Sequence, residues 1–223
     1  EGSCLIRVGD TVVLCNASVE ERVPPHVTRG GWVTAEYSML PRANRERSRR
    51  DISKLKLPPR RRRSSGWWAG PSGPRWTAGK LGERTITIDC DVLQGDGGTR
   101  TASVTGGYVA LALACRKLME EGVLREMPLT TQVAAVSAGI VDDVPLLDLC
   151  YEEDSSAMVD LNCVMDREGD LVELQARRGP GLYHPGAASA GGSVCQGDSG
   201  ASGHPGGGSG RRRPMKVVLA SHN

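Results

Sequence analysis

The chain has 223 residues, of which 39% are hydrophobic, enough for one sizeable domain or two small ones. Its 28 basic and 26 acidic side chains leave a formal charge of only +2, so charged partners are expected to recognise local clusters rather than the total charge. No apolar stretch reaches the roughly 18 residues needed to cross a bilayer, and no charged-then-apolar leader precedes the first strand, so the sequence predicts a soluble cytoplasmic protein.

The first elements are predicted to be β-strands. Residues 4–8 and 11–19 are β-rich runs joined at Gly9-Asp10, which predicts a hairpin. Because the chain begins inside this hairpin, we expect an N-terminal piece to be missing. Residues 32–39 alternate like another strand, whereas residues 42–63 are rich in arginine and offer no apolar face, which favours a solvated loop or arm.

The middle and end of the chain predict one helix among further strands. Residues 85–90 alternate with period two, so that their isoleucines face the core. Residues 101–121 carry apolar side chains at helical spacing before Gly122, which predicts a buried helix. Later strands are predicted at residues 132–141, 145–151, 158–165 and 170–175, with turns at 142–143 and 168–169. This order indicates an α+β fold.

Seven cysteines occur without a CxxC pair or a metal-ligand cluster. Most of them lie in apolar runs, so we expect buried, reduced thiols, which is typical of a cytoplasmic protein.

Two stretches have no period of either kind. Between Arg60 and Lys80 lie three of the four tryptophans, and in residues 177–213, 12 of 37 residues are glycine. Such segments bury too little apolar area to offset their chain entropy, so one interpretation is a flexible linker and tail. The other is out-of-frame translation of G/C-rich codons. Tryptophan has a single codon, and residues 66–69 read from their third base permit (Leu, Met or Val)-Val-Gly.

A glycine-rich turn is the first candidate site. Residues 97–101 read Gly-Gly-Thr-Arg-Thr and come directly before the predicted helix, where free backbone N–H groups and the helix dipole favour an anion. Arg100 would add a planar fork that matches phosphate oxygens. The alternative is an ordinary glycine turn.

Two aspartates form the second candidate site. Asp160 lies on the opposite face of its strand from Val159 and Leu161, and Asp154 precedes that strand. Paired carboxylates can hold Mg²⁺ or transfer a proton. The alternative is one loop carboxylate and one solvated strand carboxylate.

Clustered arginines form the third candidate site, at positions 42, 45, 47, 49 and 50. They could bind along a nucleic-acid backbone, or they could belong to a basic loop that is simply exposed to solvent. No aromatic residues interleave with them, so base stacking is not expected there.

Three long runs resemble the ribonuclease PH family in order and spacing. They are residues 31–42, residues 81–103 (LGERTITIDCDVLQGDGGTRTAS) and residues 148–165 (DLCYEEDSSAMVDLNCVM). The resemblance implies a ribosomal protein S5 domain 2-like α+β fold and a ring-shaped hexamer built as a trimer of dimers. It also implies a reaction in which inorganic phosphate attacks the last phosphodiester of RNA, trimming tRNA 3′ ends and releasing nucleoside diphosphates.

The resemblance also implies roles for particular residues. The phosphate co-substrate would be bound by Arg60, Gly98, Thr99 and Arg100. Mg²⁺ binding and protonation of the leaving oxygen would belong to Asp154 and Asp160. Contacts with tRNA would come from Arg42, Arg47 and Arg50.

The resemblance further implies how the chain is organised. Residues 1–175 would form the exoribonuclease domain, interrupted at about 61–80, residues 176–214 a disordered Gly/Arg-rich segment, and residues 215–223 the first strand of a non-canonical purine NTP pyrophosphatase. The family has a helix after its phosphate-binding arginine and another at its C-terminus, and both are replaced here. Residues 182–185 read from their second base permit Phe-Thr-Thr-Arg, close to the start of that C-terminal helix.

We therefore expect an exoribonuclease by descent whose activity is weakened or abolished. One alternative is a non-catalytic RNA-binding subunit of an RNase PH or exosome-like ring, and another is an intact enzyme whose recorded sequence contains base-calling errors. Retention of Asp154, Asp160 and Arg100 favours catalytic ancestry.

Overall fold

The structure is a computed structural model that describes residues 1–49, 76–142, 144–177 and 215–219. Its strands are β1 (Gly2–Val8), β2 (Thr11–Glu20), β3 (Trp32–Met39), β4 (Thr85–Gln94), β5 (Val133–Val141), β6 (Val144–Leu147), β7 (Val159–Asp166), β8 (Leu171–Arg177) and β9 (Met215–Leu219). Its helices are α1 (Ala78–Leu81), α2 (Thr99–Glu120) and α3 (Tyr151–Ser156). The described part of the chain contains no helix long and apolar enough to cross a membrane.

Five strands form the first sheet, in the order β3-β4-β2-β1-β9. The β1–β2 hairpin is antiparallel, β2 continues antiparallel to β4, and β3 runs parallel to β4. The predicted hairpin and the predicted strand at residues 32–39 are confirmed. Ile86 and Ile88 are fully buried, as the alternation in β4 indicates.

Four strands form the second sheet, in the antiparallel order β6-β5-β7-β8. The prediction of a strand through residues 145–151 is wrong beyond Leu147, because helix α3 begins at Tyr151. The Glu153 carboxylate accepts a hydrogen bond from the backbone N–H of Cys150 at 2.8 Å. This reciprocal cap, with acidic residues in the first turn, stabilises a helix in a segment without apolar periodicity.

Helix α2 lies between the two sheets. It packs on β1, β2 and β4 on one side and on β5 and β7 on the other. Close packing requires small residues in the helix, since a Cβ atom at Gly106 would lie 2.8 Å from Cγ2 of Ile6. The predicted buried helix is confirmed, and it contributes side chains to two separate hydrophobic clusters, one against each sheet.

Thr105 links α2 to the second sheet. Its hydroxyl accepts a hydrogen bond from the backbone N–H of Ala135 at 3.0 Å and donates to the carbonyl of Thr101 at 3.2 Å, and its side chain is buried. Thr105→Val leaves the Ala135 N–H unpaired and should lower the free energy of unfolding by about 1–3 kcal/mol, measured by urea denaturation. Thr131→Val removes an exposed hydroxyl that bonds Glu168, and it is the control, with an expected change within about 0.5 kcal/mol. Equal losses in the two variants would contradict this role of Thr105.

Four of the six described cysteines follow the sequence prediction of buried, reduced thiols, whereas Cys150 is free but only partly buried. Cys195 lies outside the described residues. Cys4, Cys15, Cys90 and Cys115 are free and buried. Burial raises the pKa of the Cys4 thiol to about 11 and that of the Cys115 thiol to about 12, so both are poor nucleophiles. Cys163 is disulfide-bonded, and the prediction of a thiol is wrong there. Spacing and apolar neighbours in the sequence do not reveal a disulfide, because it joins cysteines that are close in space.

The end of the first aperiodic stretch, between Arg60 and Lys80, is ordered, which differs from its interpretation as a flexible linker. Trp76 is buried in the main core and forms a bridge with Leu129, and α1 follows at Ala78. A single indole buries a large apolar area, so Trp76 can anchor this stretch although the rest of it is poor in apolar residues. Ala176 and Arg177, where the disordered Gly/Arg-rich segment was expected to begin, belong to strand β8. The rest of that segment, and also Arg50 and Arg60, lie outside the described residues.

Strand β9 lies at the edge of the first sheet, antiparallel to β1, with Leu219 opposite Cys4. These residues were expected to begin a second domain. That the segment starts an NTP pyrophosphatase-like domain stays a prediction.

Candidate active site

A cleft of about 530 Å³ opens where the turn after β4, the loop after β3 and the region of α3 and β7 meet. It brings together seven residues singled out in the sequence: Arg45, Gly97, Gly98, Thr99, Arg100, Asp154 and Asp160. The glycine turn and the acidic pair, which are ambiguous when taken singly, therefore face one cavity.

The glycine turn is shaped by close backbone contacts. Gly97 has a φ of +75°, and a Cβ atom there would lie 2.2 Å from the carbonyl oxygen of Leu149, so no other residue fits. Buried Thr11 fixes the turn from below. Its hydroxyl donates to the Gly97 carbonyl at 2.7 Å and accepts from the Asp96 N–H at 2.9 Å.

Helix α2 begins in this cleft. Gly98 is its N-cap, with a φ of +55°, and contributes no side-chain cap to the backbone N–H groups of the first turn. Such groups, together with the positive end of a 22-residue helix, favour an anion. The Thr99 hydroxyl lies 2.8 Å from the Tyr37 hydroxyl, which fixes the first turn against β3. Half-buried Arg100 adds a positive charge beside the same turn.

Asp154 and Asp160 come from two neighbouring elements. Asp154 lies on α3, and Asp160 lies on β7 opposite Gly139 of β5. Both are half-buried. The start of α3 is joined to the glycine turn, because the Tyr151 N–H donates to the Asp96 carboxylate at 3.3 Å. This hydrogen bond therefore connects the glycine turn to α3, the helix that carries Asp154.

The carboxylate pair suits a hard divalent cation. Among the described residues, no group of three or more His, Cys, Asp or Glu side chains could hold a metal ion. Mg²⁺ keeps several waters and binds through one or two carboxylates together with substrate phosphate oxygens, so two aspartates are a sufficient donor set.

The loop after β3, which carries the clustered arginines, contributes Arg45 to the described cleft lining. Arg42 donates to the backbone carbonyl of Asn44 at 2.8 Å and also to that of Arg45, so its guanidinium supports the loop itself. Neither Arg42 nor Arg47 lines the cleft, although both are exposed, whereas Arg45 does line it.

Sequence reasoning did not single out several polar residues of the lining, among them Asn44, Asp96, Ser137 and Asn162. The sequence could have indicated Asn162, because it lies two residues after Asp160 and therefore on the same face of β7. The sequence gives no such indication for Ser137. Its hydroxyl accepts a hydrogen bond at 3.1 Å from the N–H of Leu149, which is distant in the sequence.

A helix N-terminus suited to an anion, facing a pair of carboxylates suited to Mg²⁺, is typical of enzymes that act on phosphate esters. The chain belongs to the 3′ exoribonuclease family, since the family model of domain 1 matches residues 1–117 and that of domain 2 matches residues 131–182.

Curated relatives carry the name ribonuclease PH. The Solibacter usitatus protein is 51% identical over 178 residues, which are 79% of this chain and 75% of that protein. The Bacillus pumilus protein is 53% identical over 179 residues, which are 78% of this chain and 74% of that protein.

Solved structures confirm the fold. An Archaeoglobus fulgidus exosome with RNA bound to the active site matches with a TM-score of 0.70 at 19% identity, over 88% of this chain and 79% of that one. An archaeal exosome core matches with a TM-score of 0.64 at 21% identity, over 88% of this chain and 77% of that one. The α+β fold is therefore of the ribosomal protein S5 domain 2-like type, as the resemblance implied.

Proposed function

We propose that this chain is a phosphate-dependent 3′-to-5′ exoribonuclease that acts on the 3′ ends of tRNA through the cleft at Gly98 and Asp160. An oxygen of inorganic phosphate attacks the terminal phosphodiester, the bond to the 3′ oxygen of the preceding nucleotide breaks, and a nucleoside diphosphate leaves. The single observation that carries the proposal is that the anion-binding turn and the acidic pair line one cleft in a member of this family.

The phosphate co-substrate is assigned to the start of α2. The backbone N–H groups at Gly98 and Thr99 donate to its oxygens, and the Arg100 guanidinium neutralises its charge. Arg60, which lies outside the described residues, is proposed as a second cationic contact. Together these groups hold the dianionic phosphate beside the anionic RNA backbone. Their positive charge offsets the repulsion between the two anions, which would otherwise prevent attack.

The leaving 3′ oxygen is assigned to the acidic pair. Asp154 and Asp160 would hold Mg²⁺, which supplies Lewis-acid stabilisation of the charge that develops on phosphoryl oxygens. The same carboxylates assist protonation of the leaving oxygen. Pairing of β7 with both β5 and β8 fixes the backbone position of Asp160.

The remaining parts of the proposal concern partners and location. Arg42, Arg47 and Arg50 are proposed to contact tRNA, Arg42 through the loop that it supports. A hexamer of three dimers and a cytoplasmic location are also proposed, in keeping with the ring oligomers of exosome cores. No described feature favours a non-catalytic ring subunit, since Arg100, Asp154 and Asp160 all line the cleft.

Arg100→Ala should weaken the binding of inorganic phosphate by about 10- to 100-fold, because it removes a charge-assisted hydrogen bond worth about 1.5–3 kcal/mol. Calorimetric titration with phosphate measures the dissociation constant directly and does not depend on turnover. Arg116→Ala is the control, since that exposed arginine pairs with Glu120 on α2. Unchanged phosphate affinity in Arg100→Ala would move the phosphate site elsewhere.

A further inference from the structure

We propose that Arg45 binds the RNA backbone at the mouth of the cleft, and that Glu152 is a counter-ion which an RNA phosphate displaces. The inference rests on the proposed function and adds to it a contact with the polynucleotide, distinct from the contacts with the phosphate co-substrate.

The charge of the cleft is the first observation. Among the described residues that line it, two side chains are cationic, Arg45 and Arg100, and four are anionic: Glu46, Asp96, Asp154 and Asp160. An incoming RNA strand therefore meets an excess of negative charge. Arg100 lies at the anion-binding turn and is assigned to inorganic phosphate, so Arg45 is the cation of the described lining that is left to attract the strand.

The placement of Arg45 is the second observation. Its loop is fixed to the sheet at the buried Ala43, whose carbonyl accepts a hydrogen bond from the Gly95 N–H at 2.8 Å. The Arg42 guanidinium bonds the carbonyls of Asn44 and of Arg45 itself. The backbone of Arg45 is thus held beside the glycine turn, while its side chain is 81% exposed.

The ion pair is the third observation. The Arg45 guanidinium lies 3.2 Å from the Glu152 carboxylate, which is itself 74% exposed and precedes Asp154 by two residues on α3. The pair joins the loop after β3 to the opposite wall of the cleft. An exposed pair contributes little net stability, so a phosphodiester can replace the carboxylate at little cost. A guanidinium also binds phosphate oxygens in a planar, bidentate manner.

The test measures the affinity for a fluorescent single-stranded oligoadenylate by anisotropy, between about 50 and 200 mM salt. Arg45→Ala should weaken binding about fivefold at 0.1 M salt and reduce the slope of log affinity against log salt by about 0.7, which is the contribution of one phosphate contact with a single strand. Glu152→Gln should strengthen binding, and it should have no effect when Arg45 is already alanine.

A matched ion pair elsewhere supplies the controls. Arg116 and Glu120 lie 3.0 Å apart on α2, with side chains 72% and 63% exposed, and neither lines the cleft. Arg116→Ala and Glu120→Gln change the net charge as the test variants do, and they should leave the slope unchanged. Thermal unfolding of all four variants shows whether a change in affinity reflects a loss of folding.

The outcomes separate this inference from the proposed function. Equal slopes for Arg45→Ala and Arg116→Ala would overturn the role of Arg45, and an unchanged affinity in Glu152→Gln would overturn the counter-ion. Release of nucleoside diphosphates, assayed in parallel with phosphate present, reports on the proposed function alone. An unmutated chain that binds no RNA would overturn both.

Discussion

Replacing Asp160 with asparagine should lower the rate of nucleoside diphosphate release from RNA by about 10²- to 10⁴-fold, the range expected when a positioned acid or base is lost. The amide keeps the size and polarity of the carboxylate but removes the charge that Mg²⁺ and a proton require. Asp160 lies in β7 between buried Val159 and Leu161, so the strand should persist in the variant. Single-turnover kinetics with phosphate and Mg²⁺ measure the effect on chemistry.

Asp170→Asn is the control for Asp160→Asn. Asp170 is an exposed aspartate at the turn between β7 and β8, outside the cleft lining. We expect its rate to equal that of the unmutated chain. Dissociation constants for phosphate should change little in Asp160→Asn, because the described phosphate contacts that we propose come from the start of α2. A rate within tenfold of the unmutated chain would remove Asp160 from the chemistry.

Much of the fold could be predicted from the sequence, because most elements carry a clear hydrophobic period. The alternation in β4 and the helical spacing in α2 each identify the buried face directly. Helix α3 could not be predicted in this way. Its six residues include no buried side chain, and its stability comes from capping by Glu153 and from the hydrogen bond that joins it to Asp96.

The site could be predicted only residue by residue from local sequence. The glycine turn and the acidic pair are separated by more than 50 residues. What brings them to one cleft is long-range contact, such as the hydrogen bond from the Tyr151 N–H to the Asp96 carboxylate. The arginines show the same limit. Arg42 and Arg45 are equivalent by charge, yet one bonds the carbonyls of its own loop and the other reaches the cleft.

Restoring the reading frame should have the largest effect on activity. A variant in which residues 61–75 and 177–213 are replaced by the gene's shifted-frame translation should degrade tRNA 3′ ends with phosphate and Mg²⁺, and the chain as written should do so far more slowly. The replacement stops before Trp76, because that side chain is buried in the core and α1 follows it. The frame-corrected variant and the chain as written therefore differ only in these two segments and share the proposed residues Arg100, Asp154 and Asp160.

The expected difference has two physical causes. Substituting Gly, Pro and Arg for the apolar face of a helix removes several buried side chains at about 1.5–3 kcal/mol each, and a domain has only about 5–15 kcal/mol of net stability. The proposed phosphate contact of Arg60 is also exposed to the change, because the resemblance implies a helix directly after this arginine. A displacement of a catalytic group by about 1 Å can lower the rate roughly a hundredfold. The assay compares release of nucleoside diphosphates from a tRNA precursor by the two proteins, with urea denaturation run beside it. A chain that is equally stable but slow would indicate misplacement of Arg60, whereas equal rates would show that both segments are tolerated variants and that the frameshift hypothesis is wrong.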